Sequence, residues 1–468
     1  MIDALGRKLD CLLDHYTIVC IFLALVIMTW IGVGTVPVAS MLGVLLCVIG
    51  IAQASAQADL GILLPLVVYN LAGMASSFAW YGNITDGYGA MHSVFPVLYL
   101  LMACLDSKEQ FLLKRICIAW SGMVSLAGIA QFACQALLQG SARRLGGLLG
   151  NPNAMGIFLV MGWFALHCCQ EGQKGQEPGR RYYLPYIEPL LLVALALTLS
   201  MGSFLAMAVG ILAVIAGKRY GFFHPGEPAP SRECFRYACR LLAKASLGIG
   251  TGMLLYLAAA RTDMPAACLP LLCYVFALVL CWPKFGRFLE ALPSMAAAIS
   301  FIGVFVAVAI VLVRPSSVAT FTERLEMMEN GLYYLVQSPL LGVGPYRWRY
   351  LNLADSDKYF NTWHIHNALL HVGVEFGWIA MGMLLWVIAR AFRKKTQPWA
   401  KAGLVAFCFH NMIDTSFFYM GITSLALLVF GAPGEKGEKV GALALRAIFF
   451  AFALLFVFHL LYYVRHVV

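Results

Sequence analysis

Charge is scarce in this sequence. Asp, Glu, Lys and Arg make up 12% of its 468 residues, where a soluble globular protein carries about 25%. Acidic side chains are the rarer kind, 23 against 33 Lys and Arg, which leaves a formal net charge of +10. Apolar residues fill the gap at 61%, and the mean hydropathy is +0.79. A core folding in water does not need that excess, whereas a bilayer does, because lipid offers no partners to backbone polar groups. Other absences narrow the class. The 14 Cys include no CxxC pair, and Cys20, Cys47, Cys104, Cys168 and Cys169 lie inside apolar runs. That pattern excludes a zinc motif and a disulfide framework and leaves small hydrophobic filler. No basic patch is interleaved with stacking aromatics, so the positive balance is not that of a single-strand nucleic-acid binder. There is no internal repeat at a fixed period, nor the paired halves of an inverted-repeat transporter. A short basic stretch, residues 6–10, precedes an apolar run at 17–33 that lacks a small-residue cleavage site, so this run is expected to stay as a first span.

What is present is a succession of apolar runs: residues 17–33, 36–53, 60–79, 90–104, 116–134, 154–169, 186–199, 204–216, 245–260, 266–281, 294–313, 373–388, 402–413, 417–430 and 442–463. Several are short, as tilted, re-entrant or bent segments would be. The expected fold is all-α, a polytopic transmembrane helix bundle of about 12–15 spans with one large, partly helical extracytoplasmic loop. With the N-terminus (Arg7, Lys8) placed in the cytoplasm, nearly every basic loop falls on the same face, as the positive-inside rule requires. The basic, Pro-containing segment 218–244 is then a cytoplasmic connector. Residues 1–313 form an N-terminal bundle, 314–372 the large outer loop, and 373–468 the C-terminal helices. A connector as long as 314–372 points to function. Within it, residues 320–337 read as an amphipathic helix near the membrane surface. Thr322 is its expected cap, Leu325, Met328, Leu332 and Leu335 form its stripe, and Pro339 stops it before a Gly-Val-Gly-Pro turn at 342–345.

The outer face carries more Arg than that side normally holds: Arg143, Arg144, Arg261, Arg314, Arg324, Arg347 and Arg349. Arg grips phosphate with planar, bidentate hydrogen bonds and stays ionised when half-buried. Each of them also fits an ordinary solvated charge or headgroup anchor, and Arg324 a salt bridge with Glu323 or Glu326 on its own helix. His364, His366 and His371 fall in one stretch, with Asn367 placed to begin a helix. Histidine transfers protons near neutral pH. His366 suits that role at the loop mouth, an interfacial hydrogen-bonded His is the plain alternative, and an extended backbone would let His364 and His366 share a metal. His410, close to Asp414, is a weaker candidate, equally well explained as a satisfied pair between helices.

Three passages resemble the O-antigen ligase and polymerase superfamily of bacterial envelope glycosyltransferases. One is the run 144–153, Arg-Leu-Gly-Gly-Leu-Leu-Gly-Asn-Pro-Asn. The second is Glu323-Arg324 followed by Ser338-Pro339-Leu340-Leu341-Gly342-Val343-Gly344-Pro345. The third is His366-Asn367-Ala368-Leu369-Leu370 with Glu375-Phe376-Gly377. The resemblance implies a polyprenyl-diphosphate-linked glycan as donor and an acceptor hydroxyl on a glycan, a lipid A core or a protein. It implies no nucleotide sugar, no metal and no other cofactor, and chemistry on the outer face of the bacterial inner membrane. By the same resemblance His366 is the general base and Arg324 binds the departing diphosphate, helped by Arg143, Arg144, Arg261 or Arg347. His364, Asn367, Glu323 and Glu375 take supporting places. Ligase chemistry is preferred to polymerase chemistry; a flippase for lipid-linked sugars and a metalloprotein resting on the three His are the rivals. One departure stands out. The family's Ser-Arg-Gly passage reads Ser200-Met201-Gly202-Ser203 here, so the Arg is missing at Met201.

Overall fold

A computed structural model describes residues 15–172, 183–221, 230–260, 268–313, 316–355, 362–394, 396–431 and 437–467. The described chain is helical almost throughout. Eight helices are long and apolar enough to cross a membrane: Leu60–Tyr81, Ser107–Gln139, Pro152–Glu171, Met201–Tyr220, Ser231–Ala260, Cys268–Ala291, Ala368–Arg393 and Ala442–His466. Six shorter apolar helices, Tyr16–Trp30, Val36–Ile51, Tyr88–Cys104, Leu184–Thr198, Pro293–Val306 and Met420–Phe430, account for the short runs in the sequence. Local chemistry sets many ends. The Asp59 carboxylate accepts from the Gly61 amide at 2.9 Å to open Leu60–Tyr81, and Gly82, at φ 71°, closes it. Only glycine takes that left-handed cap without cost.

The structure departs from the sequence reading in several places. The basic connector 218–244 is helical from Ser231 onward, so Arg232, Arg236, Arg240 and Lys244 ride on the 30-residue helix Ser231–Ala260. The helix bearing Arg324 starts at Ser316, which puts Thr322 inside it rather than at its cap. On that helix Leu325 and Leu332 are exposed, while Met327, Gly331, Tyr334 and Leu335 are buried. A further helix, Arg347–Asp355, follows the glycine turn. Finally, Ser55–Ala58 pairs antiparallel with Glu438–Gly441, a small sheet that four-residue segments without clear alternation do not announce.

The chain divides into two compact units, one of residues 1–114, 323–395 and 411–468, the other of 115–322 and 396–410. In the first, Ala442–Val467 packs on Val36–Ile51. The rings of Phe456 and Phe449 fill the notches at Gly43 and Gly50. Ala368–Arg393 lies along Leu60–Tyr81. The expected outer loop has its own buried core there: Met327, Tyr334, Leu335, Val343, Trp348, Ile365, Leu370 and Val374. In the second unit, Ser231–Ala260 packs on Leu184–Thr198 and Pro293–Val313. Buried Glu188 accepts from Trp282 Nε1 at 2.8 Å and pairs with Lys244 at 3.0 Å and His167 at 3.2 Å.

The run read as one span at 373–388 is broken. Gly377 sits at φ 87°, ψ 176° inside Ala368–Arg393, and an added Cβ there would collide with the Leu340 carbonyl. Gly377→Ala is therefore expected to destabilise the protein by at least about 2 kcal/mol, backbone strain and clash combined. Thermal unfolding of the purified variant in detergent measures it; Gly382→Ala, with open space at its Cβ, should unfold with the wild type.

Candidate active site

The face of Ser316–Gln337 that turns inward runs through Arg324, Met327, Gly331 and Leu335, at the i, i+3, i+7, i+11 spacing of one helix side. Burying Met327, Gly331 and Leu335 brings Arg324 inward with them. Its guanidinium donates from Nη1 to the Ile413 carbonyl at 2.6 Å and pairs through Nη2 with Asp414 at 3.6 Å. Nε is buried with no hydrogen-bond partner. The expected salt bridge to Glu323 or Glu326 gives way to Asp414, because residues one and two positions apart on a helix point to different sides.

The His-bearing segment is extended and tightly held. Ile365, fully buried, plugs into the loop core against Gly331, where an added Cβ would stand 2.7 Å from the Ile365 side chain. Thr362 Oγ1 donates to the His364 carbonyl at 2.9 Å, and the Asn367 amide to that of Ile365 at 2.6 Å. Asn367 caps Ala368–Arg393, its side chain accepting from the Leu370 amide at 3.0 Å. The anticipated helix start at Asn367 is thus present.

His366 has a buried Nδ1 without a hydrogen-bond partner. Burial pushes its imidazole below the ordinary histidine range. The Asp414 carboxylate pulls it back up, the Arg324 guanidinium pushes it down and Glu323 raises it. One constellation within the first unit therefore joins imidazole, cation and carboxylate: Arg324 pairs with Asp414, and both act electrostatically on His366. His364 turns away from it. Its Nε2 lies 2.6 Å from the Tyr88 hydroxyl, and its ring stacks on Phe418 with centroids 4.8 Å apart. Burial, then the neighbouring His366, lower His364 to about 4, against a smaller upward pull from Asp414. Deeper still, His371 Nε2 stands 3.4 Å from Glu375 Oε2, both side chains essentially without exposure. Among the described residues no group of three or more His, Cys, Asp or Glu is placed to hold a metal ion.

The other expected Arg residues separate. Arg347 stacks over Trp80 at 4.0 Å, and Arg349 over Trp363 at 3.9 Å; both belong to the first unit. Arg143 and Arg144 belong to the second, where Arg144 Nε donates to the Thr198 carbonyl at 3.0 Å and Nη2 to Asn153 Oδ1 at 2.9 Å. Arg261 and Arg314 lie outside the described residues. Met201, where the family's Arg is missing, opens Met201–Tyr220, a helix capped by Ser200. His410 Nε2 lies 3.3 Å from Ser203 Oγ in the second unit.

Sequence reasoning undervalued Asp414 and missed Tyr88. The signal for Asp414 was available, a lone carboxylate among apolar residues. Tyr88, one aromatic among many, gave none.

The Tyr88–His364 contact has a consequence for stability. The folded state keeps His364 neutral down to about pH 4, whereas an unfolded chain protonates near 6.5, so the unfolded state binds more protons between these values. Stability should fall as pH drops from 6.5 toward 4, by up to about 3 kcal/mol for this group. Thermal unfolding in detergent across that window should show the slope, and His364→Gln should make it shallower.

No curated protein sequence matches the chain. Residues 246–387 match the family model described as O-Antigen ligase. The matched stretch holds Arg324, the glycine turn, His366 and the broken helix to beyond Gly377. That match supports assignment to the O-antigen ligase and polymerase superfamily.

Proposed function

We propose that the protein is a membrane glycosyltransferase that moves a glycan from a polyprenyl-diphosphate carrier to an acceptor hydroxyl, with O-antigen ligase chemistry, on the outer face of the bacterial inner membrane. The observation that carries this reading is the Arg324–Asp414 pair at 3.6 Å within electrostatic reach of the buried Nδ1 of His366. His366 takes the proton of the acceptor hydroxyl. The freed oxygen pair attacks the anomeric carbon, the carbon–oxygen bond to phosphorus breaks, and the bond's electrons leave with the lipid diphosphate. Arg324 neutralises that growing charge, and a partly buried guanidinium is worth most where water is thin. Asp414 serves both partners. It orients Arg324 and stabilises the imidazolium that forms on His366. Nucleotide is not needed, since the diphosphate is already a good leaving group. A single displacement with one base inverts the anomeric configuration.

Transfer assayed in membranes with lipid-linked glycan should fall about 10²–10⁴-fold in His366→Ala, the usual loss on removing a general base. Arg324→Lys should also drop sharply despite its retained charge, because ammonium cannot reproduce a bidentate grip. His366 works as the neutral base, so the rate should hold at neutral pH and decline only as pH falls below 6.5. Removing the carboxylate that raises its pKa, in Asp414→Asn, should move this acid limb lower still. Near-normal transfer in His366→Ala would overturn the assignment. In a knockout strain, accumulation of lipid-linked polymer with unglycosylated acceptor is the ligase outcome; single repeat units on the acceptor would make the chain a polymerase.

A further inference from the structure

The buried pair His371 and Glu375 touches neither the guanidinium of Arg324 nor the carboxylate of Asp414, yet it lies one helical turn below the His-bearing segment. The two side chains are at i and i+4 of the same half-helix, with relative exposures of 0% and 1%. His371 Nδ1 accepts a hydrogen bond from the Ile365 amide at 3.4 Å. That bond assigns the ring's tautomer. A nitrogen that accepts carries no proton, so Nε2 carries it, on the side where Glu375 Oε2 stands 3.4 Å away, in charge contact but outside hydrogen-bond geometry. The backbone amides of Tyr346 and Trp348 also act on the Glu375 carboxyl. Among the described residues neither carboxyl oxygen closes a hydrogen bond of good geometry with any of them.

We infer that Glu375 and His371 are positioning residues for the base. Glu375 fixes the tautomer of His371, and His371 pins the Ile365 amide, the one backbone donor between His364 and His366. The arrangement repeats on a backbone amide the logic by which an outer carboxylate orients a metal-binding or catalytic imidazole. It is not a proton wire toward the site: the Nδ1 lone pair is spent on an amide, and an amide passes no proton on. The kcat consequence rests on the reading of His366 as the base. The geometric consequence does not.

Hydrogen–deuterium exchange by mass spectrometry on the detergent-solubilised full chain tests the geometry. In Glu375→Ala, peptides covering residues 362–367 should exchange at least about tenfold faster than wild type, while peptides of Leu60–Tyr81 keep their rate. Glu375→Gln retains an acceptor for the Nε2 proton and should restore protection. His371→Phe, which keeps ring volume and removes the acceptor, should open the same peptides if Glu375→Ala yields too little folded protein. In transfer assays the same Ala variant should lose kcat with KM unchanged, and Glu375→Gln should recover most of it. Wild-type exchange at 362–367 in both Glu375→Ala and His371→Phe would overturn the inference. So would a Gln variant as open and as slow as the Ala variant, the behaviour of a proton relay. Faster exchange in a protein whose wild type transfers no glycan would leave the positioning intact and sink the proposed function instead.

Discussion

The constraint on which the site depends is the exchange of backbone hydrogen bonds at the break in Ala368–Arg393. A helix interrupted in an apolar setting exposes carbonyls and amides that lipid cannot satisfy. Here the turn after the Arg324 helix satisfies them. The Val374 carbonyl accepts from the Val343 amide at 2.8 Å, and the Glu375 carbonyl from the Gly344 amide at 3.2 Å and from Ser76 Oγ at 2.7 Å. In return the Trp378 amide donates to the Pro339 carbonyl at 2.7 Å. The turn can come this close only because glycine stands on both sides of the contact. Gly342, at φ 69°, would strike the Glu375 backbone with any side chain, as Gly377 would strike Leu340. The Pro-Leu-Leu-Gly-Val-Gly turn and the Glu-Phe-Gly tripeptide are two halves of one joint. The joint fixes the end of the helix that carries Arg324 against the start of the helix that follows His366.

Once the two segments are joined, electrostatics decides what the site is. Arg324 is the cation and Asp414 its partner, and burial holds His366, under the influence of both, below the ordinary histidine range. A cation that faced two carboxylates on its own helix would be neutralised before meeting a substrate. Facing one carboxylate shared with a histidine, it keeps Nε without a protein partner. His364 lies two residues from His366 but spends its Nε2 on Tyr88 and its ring face on Phe418. The two histidines are therefore not interchangeable: one supports the loop, the other is available for chemistry.

Much of this was legible in the sequence because it depends on local rules. Apolar length marks spans, Asn367 precedes an apolar half-helix and caps it, and Pro339 ends the Arg324 helix. The amphipathic stripe was misread for a physical reason. In water, Leu325 and Leu332 would mark the inward face, but this helix buries Met327, Gly331 and Tyr334 and leaves both leucines exposed. Leucine burial stops being a guide to the interior where the surroundings are themselves apolar. The break at Gly377 is invisible to periodicity, because the helix resumes with its hydrophobic pattern intact. Asp414 and Tyr88 were not legible as partners of Arg324 and His364, since those pairings span 90 and 276 residues of chain.

The buried carboxylates offer a way to separate scaffold from site. Glu188 is enclosed by Lys244, His167 and Trp282, and Asp59 by Arg390, Lys394 and its own capped amide. Their partners match their charge, as a buried ion must be matched to persist. Glu375 is as deeply buried, yet among the described residues no Lys or Arg pairs with it; His371 stands 3.4 Å away, and the amides of Tyr346 and Trp348 lean toward it. Burying a carboxyl with no matching cation costs on the order of 1–3 kcal/mol, and a methionine of similar size would avoid most of that cost. A structural position would be expected to relieve it. Glu375 carries that cost one turn below the segment bearing His366, on the residue whose carbonyl receives Gly344, which fits a carboxyl that serves the geometry of this segment more than the stability of the helix.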